Sequence, residues 1–311
     1  MAAPRDNSPP TRGQARALLF GSAVLFGLSA VLTRVAVRAP GGMNGGQVTF
    51  VRFALGLALV GLLFVARPGT FRPVRLGLLA SRGAFGGASA LLYFLSLALI
   101  PAGEATLLNN TFPIFAVLIS FFLLDERPTV HLALALVVAS AGVVLVLGGG
   151  ETSLGLGFGE LFGILSGLCG GIAVTSIRAL RATDNAPTIF FAFAVGGLVA
   201  SAPFAFGAWT AGPVAWIAAL GVGIVAFLAQ LLMTEAYGAL SVAEAALWQQ
   251  LTPIASYLWA LGIGESISLA TVAGVLLGVA GIVYGSLLGH RPRREFTEKA
   301  RIAAGLPAEE P

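Results

Sequence analysis

Charge is scarce in this chain. Only 10% of its 311 residues are charged while 57% are hydrophobic, and the mean hydropathy is +0.91. That is too little polar surface to coat a soluble globule, which places the chain in the membrane class. A single cysteine, Cys169, excludes an internal disulfide, and its apolar, glycine-rich surroundings make it a small buried residue. The only lysine, Lys299, is followed by Ala300, so the Gly-x-x-x-x-Gly-Lys-Ser/Thr loop of ATP hydrolysis is absent. Two histidines, His131 at a loop edge and His290 in the tail, leave little material for a Ser-His dyad or a histidine-rich metal site. No catalytic residue, metal or cofactor is expected. The net charge of +4 comes from basic residues scattered between apolar segments rather than gathered with aromatics, which argues against a nucleic-acid partner.

What is present is a set of long apolar runs. A helix needs about 20 residues to cross a hydrocarbon core of roughly 30 Å. Turn residues cut the chain into ten such pieces, near 15–37, 47–66, 76–100, 102–124, 130–147, 157–179, 188–206, 214–239, 242–263 and 269–288. The first run is longer than a signal-peptide core and lacks a cleavage pattern, so it is expected to remain as a span. The resulting organisation is a polar tail (1–14), a first unit (15–148), a linker (149–156), a second unit (157–289) and a polar C-terminal tail (290–311).

The second unit repeats the first. Asn109-Asn110, before Pro113, recurs as Gln249-Gln250 before Pro253, a shift of 140 residues (253 less 113) that also carries Phe53 onto Phe193, Gly27 onto Gly167, Gly56 onto Gly196, Arg38 onto Arg178 and Glu104 onto Glu244. Lys and Arg mark the cytoplasmic side of a membrane protein. Arg5, Arg12 and Arg16, then Arg67, Arg72 and Arg75, then Arg127, then Arg178 and Arg181, and finally the basic tail from Arg291 fall on one face if both termini are cytoplasmic. With five spans per unit the second must enter from the opposite face. The fold class expected is therefore an all-α membrane protein, ten transmembrane helices as two inverted five-helix repeats around a central cavity. Glycines at 159, 163, 167 and 171, and at 274/278 and 281/285, mark close helix packing.

The polar break inside each copy carries the functional expectation. Proline has no N–H for the carbonyl four residues earlier, so Pro113 frees Asn109 and Pro253 frees Gln249. At 1.5 Å per residue these amides lie about 10 Å inside their spans, where loosened backbone is tolerated only against protein or a cavity. Asn109, Asn110, Pro113, Gln249, Gln250, Pro253, Trp248 and Tyr257 are thus candidates to line a small-molecule site, with Thr111, Thr252 and Phe112 as further walls. Interhelical hydrogen bonding of the amides is the plainer alternative. Ser241 and Glu244 fit a capping box, and Glu104 sits in the first turn of the corresponding span. Glu235, without an acidic counterpart in the first unit, is the better candidate for proton coupling. Arg34, Arg52 and Arg82 could act as gates by pairing with Glu104 on one side and with Glu235 or Glu244 on the other, although arginines near helix ends commonly snorkel.

These patches resemble the EamA-type members of the drug/metabolite transporter superfamily. The likeness is carried by Phe26-Gly27, Arg52-Phe53, the stretch from Pro101 to Leu108 followed by Pro113, Leu123-Leu124-Asp125-Glu126-Arg127-Pro128 and Gly142-Val143, with echoes at Ala243 to Leu247, Pro253, Gly264-Glu265 and Gly281-Ile282. The resemblance implies a ten-helix inner-membrane carrier, a monomer or homodimer in the lipid bilayer, moving small metabolites such as amino acids, often outward. Phe26 stands where many relatives have tryptophan, which reshapes the wall of the first span. The competing expectation is a non-transporting membrane receptor or structural subunit.

Overall fold

The computed structural model describes residues 10–100, 102–147, 157–262 and 269–288. Among these are twelve α-helices and no strand: α1 (Arg12–Arg38), α2 (Gly45–Ala66), α3 (Leu76–Leu99), α4 (Ala102–Asn109), α5 (Phe112–Leu124), α6 (Val130–Leu147), α7 (Phe158–Leu180), α8 (Ala186–Ser201), α9 (Pro213–Ala236), α10 (Val242–Gln249), α11 (Leu251–Leu261) and α12 (Leu269–Leu288). Eight segments are long and apolar enough to cross a membrane, Ala105–Leu124 counting as one of them, and Val130–Val146 is a shorter apolar helix.

Local chemistry sets the ends. Thr11 and Gln14 form a reciprocal capping box, so α1 begins at Arg12, three residues before the first apolar residue of the run. Asn44 and Gln47 do the same for α2, and Asn185 caps α8 through the Thr188 N–H. Asp125 ends α5 in the left-handed region at φ 52°. The fourth and ninth apolar runs are each two helices rather than one. At both breaks the chain tightens: Thr111 N–H bonds Leu108 O at 3.1 Å and Gln250 N–H bonds Leu247 O at 3.2 Å, each three residues back instead of four. Pro113 follows in the first turn of α5 and Pro253 in the first turn of α11.

The two units interleave. In the pair α1/α9, Ser22 Oγ donates to Ala229 O at 2.8 Å, and Leu32 faces Gly221 while Leu232 faces Gly21, so these helices run antiparallel. In the pair α3/α7, Ser89 Oγ donates to Ser166 O at 2.9 Å, and Gly159 meets Leu99 and Ile100, again antiparallel. The 140-residue shift carries α1 onto α7 and α3 onto α9, so one pairing is the other with the units exchanged. Helices α2 and α8 pack together, as do α6 and α12, each with its own equivalent.

Small residues make these contacts possible. A Cβ on Gly142 would meet the backbone of Gly274 and Gly278, and one on Gly196 would meet Gly83. The α7 glycines lie under the first break, Gly163 against Leu108 and Gly167 against Thr111, while Gly27 of α1 lies against Ala255 and Ser256 of α11. Large apolar side chains such as Leu62, Phe122, Val137 and Ile217 point outward, as they should where lipid replaces water.

Candidate functional site

All four amides of the two breaks donate within the protein. Asn109 Nδ2 donates to Ser166 Oγ of α7, and Asn110 Nδ2 returns to Thr106 O at 2.9 Å. Gln249 Nε2 donates to the Tyr237 hydroxyl at 2.6 Å, and Gln250 Nε2 to Ser140 Oγ of α6 at 2.9 Å. Thr111 Oγ1 bonds Leu108 O at 2.6 Å. Pro113 and Pro253 are buried, and Trp248 and Tyr257 are half-buried. The sequence-chosen amides are therefore brought to helix junctions, where Asn109, Gln249 and Gln250 are tied to hydroxyls on other elements and Asn110 returns to its own helix. Tyr237, Ser166 and Ser140, which complete those ties, carry no sequence signal of their own, because a lone hydroxyl in an apolar run reads like any other.

The face that holds the start of α1 and the end of α9 is closed. Leu19 of α1, Leu79 of α3, Ala116 of α5, Ile177 of α7, Ile189 of α8, Tyr237 after α9 and Ala245 of α10 belong to one buried cluster, with Phe26, Phe112 and Trp248 packed against it. Ion pairs ring this cluster. Arg12 Nη2 and Arg16 Nη2 reach the two oxygens of Glu244 at 2.6 and 2.8 Å. Arg178 Nε meets Glu126 Oε1 at 3.0 Å, while the Val242 N–H donates to Glu126 Oε2 at 2.7 Å. Arg178 Nη1 also donates to the carbonyls of Tyr237 and Gly238. Arg181 Nη2 meets Glu235 Oε1 at 2.6 Å. Burial lowers the pKa of Arg181, and the Glu235 charge raises it back in part.

This arrangement bears on three expectations. Ser241 Oγ does accept the Glu244 N–H at 3.2 Å, but the Glu244 carboxylate turns to Arg12 and Arg16 instead of closing the box, because two guanidiniums outcompete one N–H. Glu235, the candidate for proton coupling, is paired with Arg181. Arg82 is paired with neither Glu235 nor Glu244; it is 3% exposed, and its guanidinium carbon lies 4.0 Å from the Phe193 ring centroid. Arg52 lies 5.4 Å from the Phe53 ring. Arg34 sits near Tyr93, whose hydroxyl bonds Thr106 Oγ1 at 2.8 Å. The Glu104 side chain lies outside the described residues. Glu126 and Arg178, not singled out from sequence as site residues, were findable: one stands in the Asp-Glu-Arg-Pro stretch and the other is the repeat partner of Arg38.

Among the described residues, buried polar atoms without partners are Arg82 Nε, Arg181 Nε, Gln230 Nε2, Trp248 Nε1, the Ser96 and Ser286 hydroxyls and Gln250 Oε1. A hollow of about 370 Å³ lies between α3 and α8, walled by Phe71, Leu76, Ala80, Thr188 and Phe191. It contains none of the amides and is almost wholly apolar. Among the described residues no group of three or more His, Cys, Asp or Glu is placed to hold a metal ion.

Known proteins share this architecture. A solved crystal structure superposes with a TM-score of 0.76 over 91% of this chain and 100% of its own, at 22% identity, a likeness of fold. The pseudopaline exporter CntI of Pseudomonas aeruginosa, in strains UCBPP-PA14 and PAO1, is 26% identical over 257 residues, covering 81% of this chain and 90% of the relative. An uncharacterized transporter of Helicobacter pylori strain J99 is 31% identical over 118 residues, 38% of this chain and 39% of its own. The EamA-like transporter family model matches residues 15–148 and again 157–286, one copy for each of the interleaved units. With both halves matched and the fold shared, the chain belongs to the EamA-like transporter family and is a multi-pass membrane transporter.

Proposed function

We propose that this protein is a secondary transporter that moves a small metabolite, an amino acid or related compound, outward across the inner membrane by alternating access. In this reading the chain crosses the membrane ten times as two inverted five-helix halves, with both termini cytoplasmic. The observation that carries it is the paired break: α4/α5 and α10/α11 interrupt equivalent spans at equivalent places, and each interruption holds an amide on a hydroxyl from another element. Short links make α1 and α3 run the same way while α9 runs against α1, which supports inversion, since α9 is the equivalent of α3. The lopsided arginines support the orientation, and an exporter among the relatives supports the direction.

The ion-paired face is the closed gate of the state described. Opening it requires Glu244 to leave Arg12 and Arg16, and Glu126 to leave Arg178, while Asn109 and Gln249 exchange their hydroxyl partners for solute groups. Asn110, Gln250, Trp248, Tyr257 and the two prolines border the same path, and Glu235 with Arg181 belongs to the gate.

Uptake or counterflow in proteoliposomes tests this, comparing the wild type with an Asn109→Leu/Gln249→Leu double variant. Solute movement abolished in the variant supports the carrier. One observation favours a second reading, a non-transporting membrane subunit: each of the four break amides already donates inside the protein, as a lock would need. No flux of any solute under any imposed gradient would select that reading.

A further inference from the structure

Among the described residues, Arg82 is a cation without an ion-pair partner. It stands six residues into α3, about 9 Å from the helix start, and is 3% exposed. A guanidinium at such a place is ordinarily paired or reaches for the membrane surface. Arg82 does neither. Its guanidinium carbon stands 4.0 Å from the Phe193 ring centroid, with Nη1 3.3 Å from where a Cβ on Gly86 would be, and its charge acts on the Tyr237 phenol. Among the described residues no hydrogen bond or ion pair reaches it, and its Nε is buried without a partner.

The described carboxylates have partners elsewhere. Glu244 holds Arg12 and Arg16, Glu235 holds Arg181, and Glu126 holds Arg178. Asp184 accepts from the Val74 N–H and from Thr183 Oγ1. Two further buried donors without a partner are Gln230 Nε2, two turns before Tyr237, and Trp248 Nε1, while Gln250 Oε1 is a buried acceptor without one. Tyr237 accepts from Gln249, which leaves its own O–H to donate. Arg52, also without a described hydrogen bond or ion pair, rests near Phe53, and Phe53 meets Phe193 edge to face at 5.2 Å. Two guanidiniums thus flank one aromatic pair. The repeat equivalents of Arg52 and Arg82 are Ala192 and Val222, so the duplicated scaffold is built in the second unit without either charge. A purely architectural role would be needed in both.

We propose that the transported solute carries a carboxylate and that Arg82 is the residue that holds it, with Tyr237, Gln230 and Trp248 as neutral donors and Arg52 as a second station. The proposal rests on the transporter reading above and names its substrate class. A planar guanidinium held on a ring face presents its fork to a carboxylate in fixed geometry, and the low-dielectric surroundings strengthen the pairing.

The test uses the purified full chain in detergent and two matched probe pairs, leucine with leucinamide and glutarate with glutaramide. Apparent melting temperature is read against probe concentration for the wild type, Arg82→Gln and Arg82→Lys. The acids are expected to stabilise the wild type and the amides not; Arg82→Gln should weaken acid binding about tenfold or more, and Arg82→Lys less. On the wild type alone, acid should protect Arg82 from phenylglyoxal, read by peptide mass spectrometry, which decides the matter even if Arg82→Gln does not fold. The proposal is overturned if no acid stabilises or protects the wild type at its solubility limit, if amides act as well as acids, or if a folded Arg82→Gln binds acids unchanged. Flux of the same probes separates the two readings. Acid binding without movement defeats the transporter and leaves the site; movement of an amide indifferent to Arg82→Gln defeats the site and leaves the transporter.

Discussion

Phe53 and Phe193, equivalent residues of the two units, touch each other: their ring centroids lie 5.2 Å apart with the planes at 82°. A residue can meet its own repeat equivalent only near the axis that relates the units, so this edge-to-face pair marks where the halves join. Phe53 is buried beside Phe190 and Ala194, and a Cβ on Gly197 would collide with its ring.

Truncating that ring should be costly. Phe53→Ala is expected to lower stability by about 3–5 kcal/mol, the range for a buried aromatic that leaves a cavity. In a cycle with Phe193→Ala the coupling should be about 0.5–1.5 kcal/mol. Thermal unfolding of the four proteins in one detergent measures both; zero coupling would mean that the rings do not pack as described.

Glu244 is shared by two arginines of α1. Glu244→Gln should loosen the closed face and shift the population toward the open state. Met233→Cys in a Cys169→Ala background reports this, since Met233 is buried in the closing cluster. Its maleimide labelling should speed up when Glu244→Gln is added, and an unchanged rate would remove Glu244 from the gate.

Tyr237→Phe deletes the acceptor of Gln249 while keeping the ring. One interhelical hydrogen bond in a membrane protein contributes about 0.6–1.7 kcal/mol, so a small drop in melting temperature is expected, together with a larger effect on flux. Loss of stability with full flux would confine this tie to architecture.

Glycine positions divide sharply by what surrounds them. A Cβ on Gly142 would lie 2.6 Å from Gly274 O, whereas one on Gly77 meets nothing within 4 Å. Gly142→Leu is expected to prevent assembly of the α6/α12 pair, seen as aggregation in size-exclusion chromatography. Gly77→Ala should be neutral or stabilise by up to about 1 kcal/mol through helix propensity.

Much of the architecture was legible in the sequence. Apolar runs of spanning length located the helices, and the recurrence of an amide pair before proline located both breaks, because proline acts on the carbonyl of its own neighbourhood. Glu244 shows where that legibility stops. Its backbone role, capping α10 with Ser241, is local and was readable; the destination of its carboxylate depends on Arg12 and Arg16, more than two hundred residues away. Gln249 is similar: the sequence marks the amide, while the hydroxyl that receives it comes from a helix end whose approach is a matter of packing.

The sequence by itself determined that this chain lives in a membrane, that it is built from one unit used twice, and where each unit breaks, since these follow from run length, repeat spacing and the missing N–H of proline. Tertiary structure alone decided which charges meet. In surroundings of low dielectric an ion pair exists only where two helices bring its members within a few ångströms. That distance, set by how remote segments pack, joins Glu244 to Arg12 and Arg16 and, among the described residues, leaves Arg82 over an aromatic ring without an ion-pair partner.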